Sequence, residues 1–222
     1  MRTTLTTELG RFTPPPVTPE QEREAEEFER FQEREAWRRR LRDAGIPEKY
    51  RCARLSECDP RVGAYAEGVM DGKGDGLLLA GPYGAGKTYA ACAVLAVVAR
   101  LFPVTFAPMT ELVEAASSFE RGALSRYRNT RLLCLDDLGK ERPTEFAMEQ
   151  VYGIVDQRWR EGKPTVITTN HAQPELFAHF TRIADKHTAN AIMSRILGMC
   201  EVVELAGPDR RFTKPEGANN SY

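Results

Sequence analysis

Eight consecutive residues, Gly81-Pro82-Tyr83-Gly84-Ala85-Gly86-Lys87-Thr88, have the spacing that wraps a polyphosphate. In a G-x-x-x-x-G-K-T loop the glycines let successive backbone N–H groups converge on phosphate oxygens, where a side chain at Gly84 or Gly86 would obstruct them. The following helix N-terminus adds its partial positive charge. Lys87 is then placed to reach the β- and γ-phosphates, and the Thr88 hydroxyl to ligate Mg²⁺. Tyr89 completes the candidate nucleotide-contacting run. About fifty residues on, Leu132-Leu133-Cys134-Leu135-Asp136-Asp137 is an apolar strand delivering two carboxylates. Asp136 reads as the Mg²⁺-linked carboxylate, and Asp137 as the group that orients or deprotonates an attacking water.

Two more residues complete the candidate set. Asn170 ends the apolar run Thr165-Val166-Ile167-Thr168-Thr169. It either holds a water near the γ-phosphate or serves only as a turn residue. Arg195 sits in Ala191-Ile192-Met193-Ser194-Arg195-Ile196-Leu197. It either snorkels at that helix's edge or is presented to a neighbouring subunit's nucleotide.

These residues need a strand–loop–helix scaffold. The run Leu77-Leu78-Leu79-Ala80 supplies the strand, and residues 89–99, rich in Ala and Val, supply the helix. Strands at 104–107, 131–135, 164–169 and 201–205 alternate with helices at 110–118, 144–160, 174–179 and 188–197. That alternation predicts an α/β fold with a parallel five-stranded sheet flanked by helices. In such sheets ligands sit at the carboxyl ends of the strands, where Asp136 and Asn170 fall. Thr144, after Pro143, is the expected N-cap of its helix.

Ahead of this core, residues 1–19 are Thr- and Pro-rich and read as a disordered tail. Residues 20–60 form a charged helical extension, a candidate partner-docking element, with its linker. Within it, residues 20–43 are dense in Glu and Arg, and the only large apolar groups are Phe28, Phe31, Trp37 and Leu41. These either pack on the neighbouring domain or dock a partner. Gly45-Ile46-Pro47 stops the helix, and residues 46–76 read as a short connection. The ATPase domain is expected over 61–212, with a flexible tail over 213–222.

Composition narrows the partners. Lys plus Arg total 31 against 32 Asp plus Glu, a net charge of −1, so no global basic field advertises nucleic acid. No apolar run approaches the length of a membrane span. The five cysteines show no metal-ligand spacing, and a reduced, cytoplasmic protein is the simplest reading. The histidines at 171, 179 and 187 read as surface residues, and no nucleophile–base pairing supports protease or esterase chemistry.

Taken together these landmarks resemble the DnaC/IstB-type AAA+ ATPases, the bacterial and phage helicase loaders and transposition helper ATPases. The resemblance spans roughly residues 44–212. It rests on Ala44-Gly45-Ile46-Pro47-Glu48-Lys49-Tyr50-Arg51, the loop Gly81 to Thr88, and Leu135-Asp136-Asp137-Leu138-Gly139. It also rests on Thr165 to Asn170, Ser194-Arg195-Ile196 and Gly207-Pro208-Asp209-Arg210-Arg211. The resemblance implies a Mg²⁺-dependent, self-associating ATPase acting on a hexameric replicative DNA helicase or a transposase, with DNA as second partner. By motif position Asn170 looks like the sensor-1 residue and Arg195 like the arginine finger. Asp137 stands where many AAA+ proteins carry Glu, which fits slow, switch-like hydrolysis. No room is expected for a C-terminal helical lid.

Between the second strand and the Asp-Asp strand lie Arg121, Arg126, Arg128 and Arg131 with Phe119 and Tyr127. In the resembling loaders this segment contacts single-stranded DNA, which makes Arg121, Arg126 and Arg128 candidate DNA contacts. The alternative is a solvated helix pair with Phe119 in the core. The leading reading is a helicase loader that binds single-stranded DNA during replication initiation, and the alternative is an IstB-type transposition helper. A small-molecule kinase lacks the Arg-bearing lid insertion it would need. A nucleotide-gated adaptor without hydrolysis is a third class.

Overall fold

The computed structural model describes residues 18–118, 120, 122–140, 144–207 and 209. The expectations for the tails at 1–17 and 213–222, and those for Phe119, Arg121, Pro143, Pro208, Arg210 and Arg211, lie outside the described residues. The chain divides into two compact units, residues 1–36 and 37–222.

In the first unit the described residues after Thr18 belong to helix α1 (Pro19–Asp43). Phe28 and Phe31 are exposed there. In the second unit the end of α1 is built into the core: Leu41 is buried, and the Trp37 indole Nε1 donates to the Ala96 carbonyl at 2.8 Å. The four apolar groups of the helix therefore divide between exposure and packing. Gly45, at φ +78°, reverses the chain. Its N–H reaches Arg42 O and the Ile46 N–H reaches Leu41 O, a Schellman stop that needs the left-handed conformation. Leu41, Ala44 and Ile46 join the main core, and residues 37–60 fall in the second unit with the phosphate loop.

The order from there is α2 (Pro60–Met70), β1 (Gly76–Ala80), α3 (Lys87–Val98), β2 (Val104–Pro108), α4 (Met109–Ser117), α5 (Ser125–Asn129), β3 (Leu132–Leu138), α6 (Glu145–Arg160), β4 (Thr165–Thr169), α7 (Gln173–Ile183), α8 (Lys186–Met199) and β5 (Cys200–Glu204). The five strands are parallel in the order β2-β3-β4-β1-β5. One face of the sheet is covered by α2, α3 and the end of α1, the other by α4, α6, α7 and α8. β1 is buried at every position and α3 at nine of its twelve, as wedging between sheet and α2 demands.

Four elements differ from expectation. Helix α2 stands where a connection was read: Asp59 caps it, and Val62, Tyr65, Ala66 and Val69 bury one face against α3. Its small residues and two glycines hide that periodicity. β3 does not end at its two carboxylates but runs past them through Leu138, with a register shift against β4 between Leu135 and Leu138. Helices α7 and α8 are longer at both ends than their apolar stripes; at their starts, Asp185 caps α8 and the Glu175 carboxylate accepts the Ala172 N–H ahead of α7. Thr144 caps α6 as expected, its hydroxyl accepting from Ala147 N at 3.2 Å.

Candidate nucleotide site

The loop Gly81–Thr88 connects β1 to α3, and its glycines have individual reasons. Gly81 (φ +145°) lies against the Leu205 carbonyl, where a Cβ would overlap, while Leu205 N donates to Ala80 O at 2.8 Å. The segment leaving β5 is thereby stitched to the loop. Gly84 (φ +76°) carries Asp209 directly over it, so a Cβ there would overlap the carboxylate and come within 2.6 Å of Asp209 Cα. Gly86 (φ +91°) occupies the N-cap of α3, and the turn it makes is one that L-residues with side chains disfavour.

Lys87 is buried, and its ammonium folds back onto the loop, donating to Gly81 O at 2.8 Å and Pro82 O at 2.7 Å. Thr88 Oγ1 donates to Asp136 Oδ1 at 2.9 Å, joining the loop to β3. Asp136 also accepts from Thr168 Oγ1 at 2.7 Å. Burial pushes its carboxyl up from the ordinary aspartate value and the neighbouring Asp137 adds to this, while the two hydroxyl donors oppose them. A nearly buried carboxylate beside a hydroxyl, at the end of a phosphate-binding loop, is the hard-oxygen donor pair that Mg²⁺ takes. Because the Thr88 proton is spent on Asp136, its lone pairs remain for a cation.

Asp137 is the one described non-glycine residue with positive φ, at +61°. Its N–H donates to Thr168 Oγ1 at 2.9 Å, its Oδ1 accepts from Asn170 Nδ2 at 3.1 Å, and its Oδ2 pairs with Lys140 at 3.2 Å. Asn170 is thus brought to the carboxylate by the end of β4. The following His171 bonds the Gly139 carbonyl at 3.0 Å through Nε2 and stacks on His179 at 5.8 Å between centroids, so these two histidines are half-buried rather than surface groups. His187 is exposed.

Arg195 is not joined to this cluster. It lies on α8 facing α6, its Nε donating to Asp156 Oδ1 at 2.9 Å and its guanidinium 4.1 Å from the Trp159 ring centroid. Arg126 and Arg128 lie on α5, away from the loop. Arg126 stacks on Tyr127 and donates to its hydroxyl at 2.5 Å, and Arg128 donates to Gln157 Oε1 at 3.2 Å.

Beside the loop is a cavity of about 280 Å³ lined by Glu57, Cys58, Asp59, Gly86, Tyr89 and Leu205 among others. The Tyr89 hydroxyl donates to the Glu57 carboxylate and accepts from Arg54 N at 3.1 Å, tying the segment before α2 to α3. Tyr89 was legible as part of the loop. Glu57, Cys58, Asp59, Leu205 and Thr168 were not: their signal lies in tertiary contact, and nothing in their spacing points to a phosphate. Among the described residues no cluster of His, Cys, Asp or Glu forms a separate metal site, the five cysteines are unbridged, and no helix is long and apolar enough to cross a membrane.

This arrangement matches known proteins. The chain is 33% identical over 151 residues to the replicative helicase loader DnaI of Bacillus subtilis, covering 63% of this chain and 49% of that one. It is 27% identical over 154 residues to an insertion-sequence ATP-binding protein of Mycobacterium tuberculosis, covering 67% and 60%. The chain therefore spans about half to three-fifths of the length of these relatives. A crystal structure of DnaI superposes with a TM-score of 0.65 at 30% identity, covering 75% of this chain and 94% of that one. The sheet order and loop are those of an AAA+ P-loop core. Residues 67–217 match the IstB-like ATP binding proteins, and the chain belongs to that family.

Proposed function

We propose that this protein is an ATP-dependent helicase loader that binds a replicative DNA helicase and single-stranded DNA. The observation that carries the ATPase part is the continuous hydrogen-bonded path from Thr88 through Asp136 and Thr168 to Asp137 and Asn170. It links the phosphate loop to two carboxylates and an amide, the groups that triphosphate hydrolysis needs. The loop residues Gly81 to Tyr89 would cradle the nucleotide, with the cavity beside Tyr89 taking the nucleoside. Lys87 would leave the Gly81 and Pro82 carbonyls for the β- and γ-phosphates, an exchange of two neutral acceptors for charged ones that favours the phosphates. Thr88 and Asp136 would hold Mg²⁺, which when bound offsets phosphate charge. Asp137 would take a proton from the attacking water, and Asn170, already bonded to it, would fix that water's orientation. Arg195 would act on the nucleotide of a second copy of this chain, since its own loop lies elsewhere.

The partner assignment draws on the DnaI relative and on the exposed Phe28 and Phe31 of the charged helix. Residues 20–36 would dock the helicase, and the core over 61–212, with 37–60 packed onto it, would hold the nucleotide. Arg121, Arg126 and Arg128 would contact DNA phosphates. Five unbridged cysteines suit a reducing cytoplasm. A second reading, a helper ATPase acting with a transposase, is favoured by the family match and the insertion-sequence relative.

One experiment separates them. The full-length protein, with ATP or ADP, is mixed with the replicative helicase and, separately, with the transposase of an IS21-type element. A helicase complex that forms with ATP and is lost in a Phe28→Ala/Phe31→Ala variant supports the loader. Capture of the transposase alone, or helicase capture unaffected by that variant, overturns it.

A further inference from the structure

We infer that Thr168 is the positioning residue that sets both β3 carboxylates against the phosphate loop. The inference rests on the reading of Asp136 as the Mg²⁺-linked carboxylate. Thr168 lies in the middle strand of the sheet with no solvent exposure. Its hydroxyl has one proton and two lone pairs. The proton goes to Asp136 Oδ1 at 2.7 Å, and a lone pair accepts the Asp137 N–H at 2.9 Å. One buried oxygen thus grips a side chain and the next peptide.

Each grip has a consequence. Asp136 Oδ1 receives Thr88 on one side and Thr168 on the other, so the rotation of the carboxylate is fixed and with it the place of Oδ2. Asp137 stands at φ +61°, in the left-handed region that L-residues disfavour. It occurs where the ladder between β3 and β4 shifts register, so no regular strand bond holds it. The Thr168 hydroxyl supplies the missing acceptor, and the Asp137 carboxylate then meets Asn170. The adjacent Thr169 does something different: it donates to Leu138 O at 2.8 Å and touches neither carboxylate. A β-branched side chain in a strand is stiff at χ1, so Thr holds this oxygen more firmly than Ser would.

The test uses full-length protein and a fluorescent ADP analogue titrated with Mg²⁺, alongside steady-state ATP hydrolysis. Thr168→Val keeps the shape and removes the hydroxyl. It should raise the half-saturating Mg²⁺ about tenfold while leaving Mg²⁺-free nucleotide binding unchanged, as loss of a partner behind a metal ligand does. In hydrolysis kcat should fall with KM little changed. Thr168→Ser should restore most of the Mg²⁺ response, and Thr169→Val should leave it as in the wild type. A wild-type Mg²⁺ response in Thr168→Val, or a Thr168→Ser variant as impaired as Thr168→Val, overturns the inference. If Thr168→Val does not fold, Thr168→Cys, a weak donor of similar size, decides it: an intermediate shift supports the role and a wild-type curve ends it. Asp136→Asn is the reference. If it keeps the Mg²⁺ response, the underlying reading of the site fails and the inference falls with it.

Discussion

The guanidinium of Arg195 lies over the Trp159 ring, 4.1 Å from its centroid, while its Nε is held by Asp156 at 2.9 Å. Asp156 and Trp159 are three apart on α6 and share a face. The Arg195 hydrogen bond holds the Asp156 carboxyl below its ordinary value of 3.8. Sign follows directly: the pair is formed above that value and is lost only as pH falls through the depressed one, so it is intact at neutral pH. Arg195 is thus fixed in direction by contacts within its own chain.

The first prediction concerns that direction. If Arg195 completes a neighbour's site, Lys87→Ala and Arg195→Ala should each abolish hydrolysis by assembled protein. Lys87→Ala should also weaken ATP binding about tenfold or more, a loss near 1.4 kcal/mol, whereas Arg195→Ala should bind ATP normally. Mixing the two inactive variants should regenerate activity, because some interfaces then pair an intact loop with an intact arginine. A mixture as inactive as its parts would show that Arg195 acts within its own chain or not at all.

A second prediction separates chemistry from fold at Asp137. Its φ of +61° suits Asn at least as well as Asp, since Asn tolerates the left-handed region. Asp137→Asn should therefore melt within a degree or two of the wild type, by the order expected for a neutral change. Hydrolysis should fall about 10²- to 10⁴-fold, the usual worth of a positioned base. Binding of a non-hydrolysable ATP analogue should persist. Equal loss of stability and hydrolysis would make Asp137 a structural residue.

How much of this was legible follows from which contacts are local. The loop, its flanking strand and helix, and the Asp136-Asp137 pair are contiguous in sequence, so spacing alone reads them. The five-strand α/β sheet follows from alternating apolar runs. The bulge at Asp137 does not: residues 131–135 read as a strand ending in Asp136-Asp137, and only pairing against Thr168 and Thr169 bends its end. The cavity beside Tyr89 is equally silent, because Glu57 meets Tyr89 across 32 residues of chain. Helix α2 was hidden by Gly63 and Gly68, which weaken helix propensity without preventing packing.

A third prediction uses the glycine beneath Asp209. Gly84→Ala carries two penalties, a β-carbon at φ +76° and overlap with the Asp209 side chain and backbone. Adding Asp209→Ala removes the side-chain overlap only. Gly84→Ala should weaken nucleotide binding strongly, and the double variant should recover part of it. Recovery of none would mean that backbone conformation alone dictates this glycine. In the wild-type background Asp209→Ala should tighten ATP binding, because one carboxylate fewer then faces a triphosphate on the same loop.

The fourth prediction concerns Arg158, fully buried at the end of α6. Its Nε donates to Thr165 Oγ1 at 2.9 Å. Nη1 reaches the carbonyls of Tyr127 and Thr130 at 3.2 and 2.9 Å, and Nη2 those of Arg131 and Pro164 at 3.2 and 2.6 Å. Burial pulls the guanidinium down to about 10, so it remains charged at neutral pH, satisfied by neutral oxygens. A planar fork of five N–H donors can serve both the α5–β3 turn and the start of β4, whereas a lysine has three donors on one nitrogen. Arg158→Met should leave several buried carbonyls without donors at about 1–3 kcal/mol each, not fully additive. The net loss should be at least about 3 kcal/mol, or roughly 6–12 °C in Tm for a chain of this size. Arg158→Lys should fall between. Because the freed turn anchors α5, which carries Arg126 and Arg128, single-stranded DNA binding by Arg158→Lys, measured well below its melting temperature, should also weaken. A variant that melts early but binds DNA normally would detach those arginines from the DNA contact and leave Arg158 as a staple of the sheet alone.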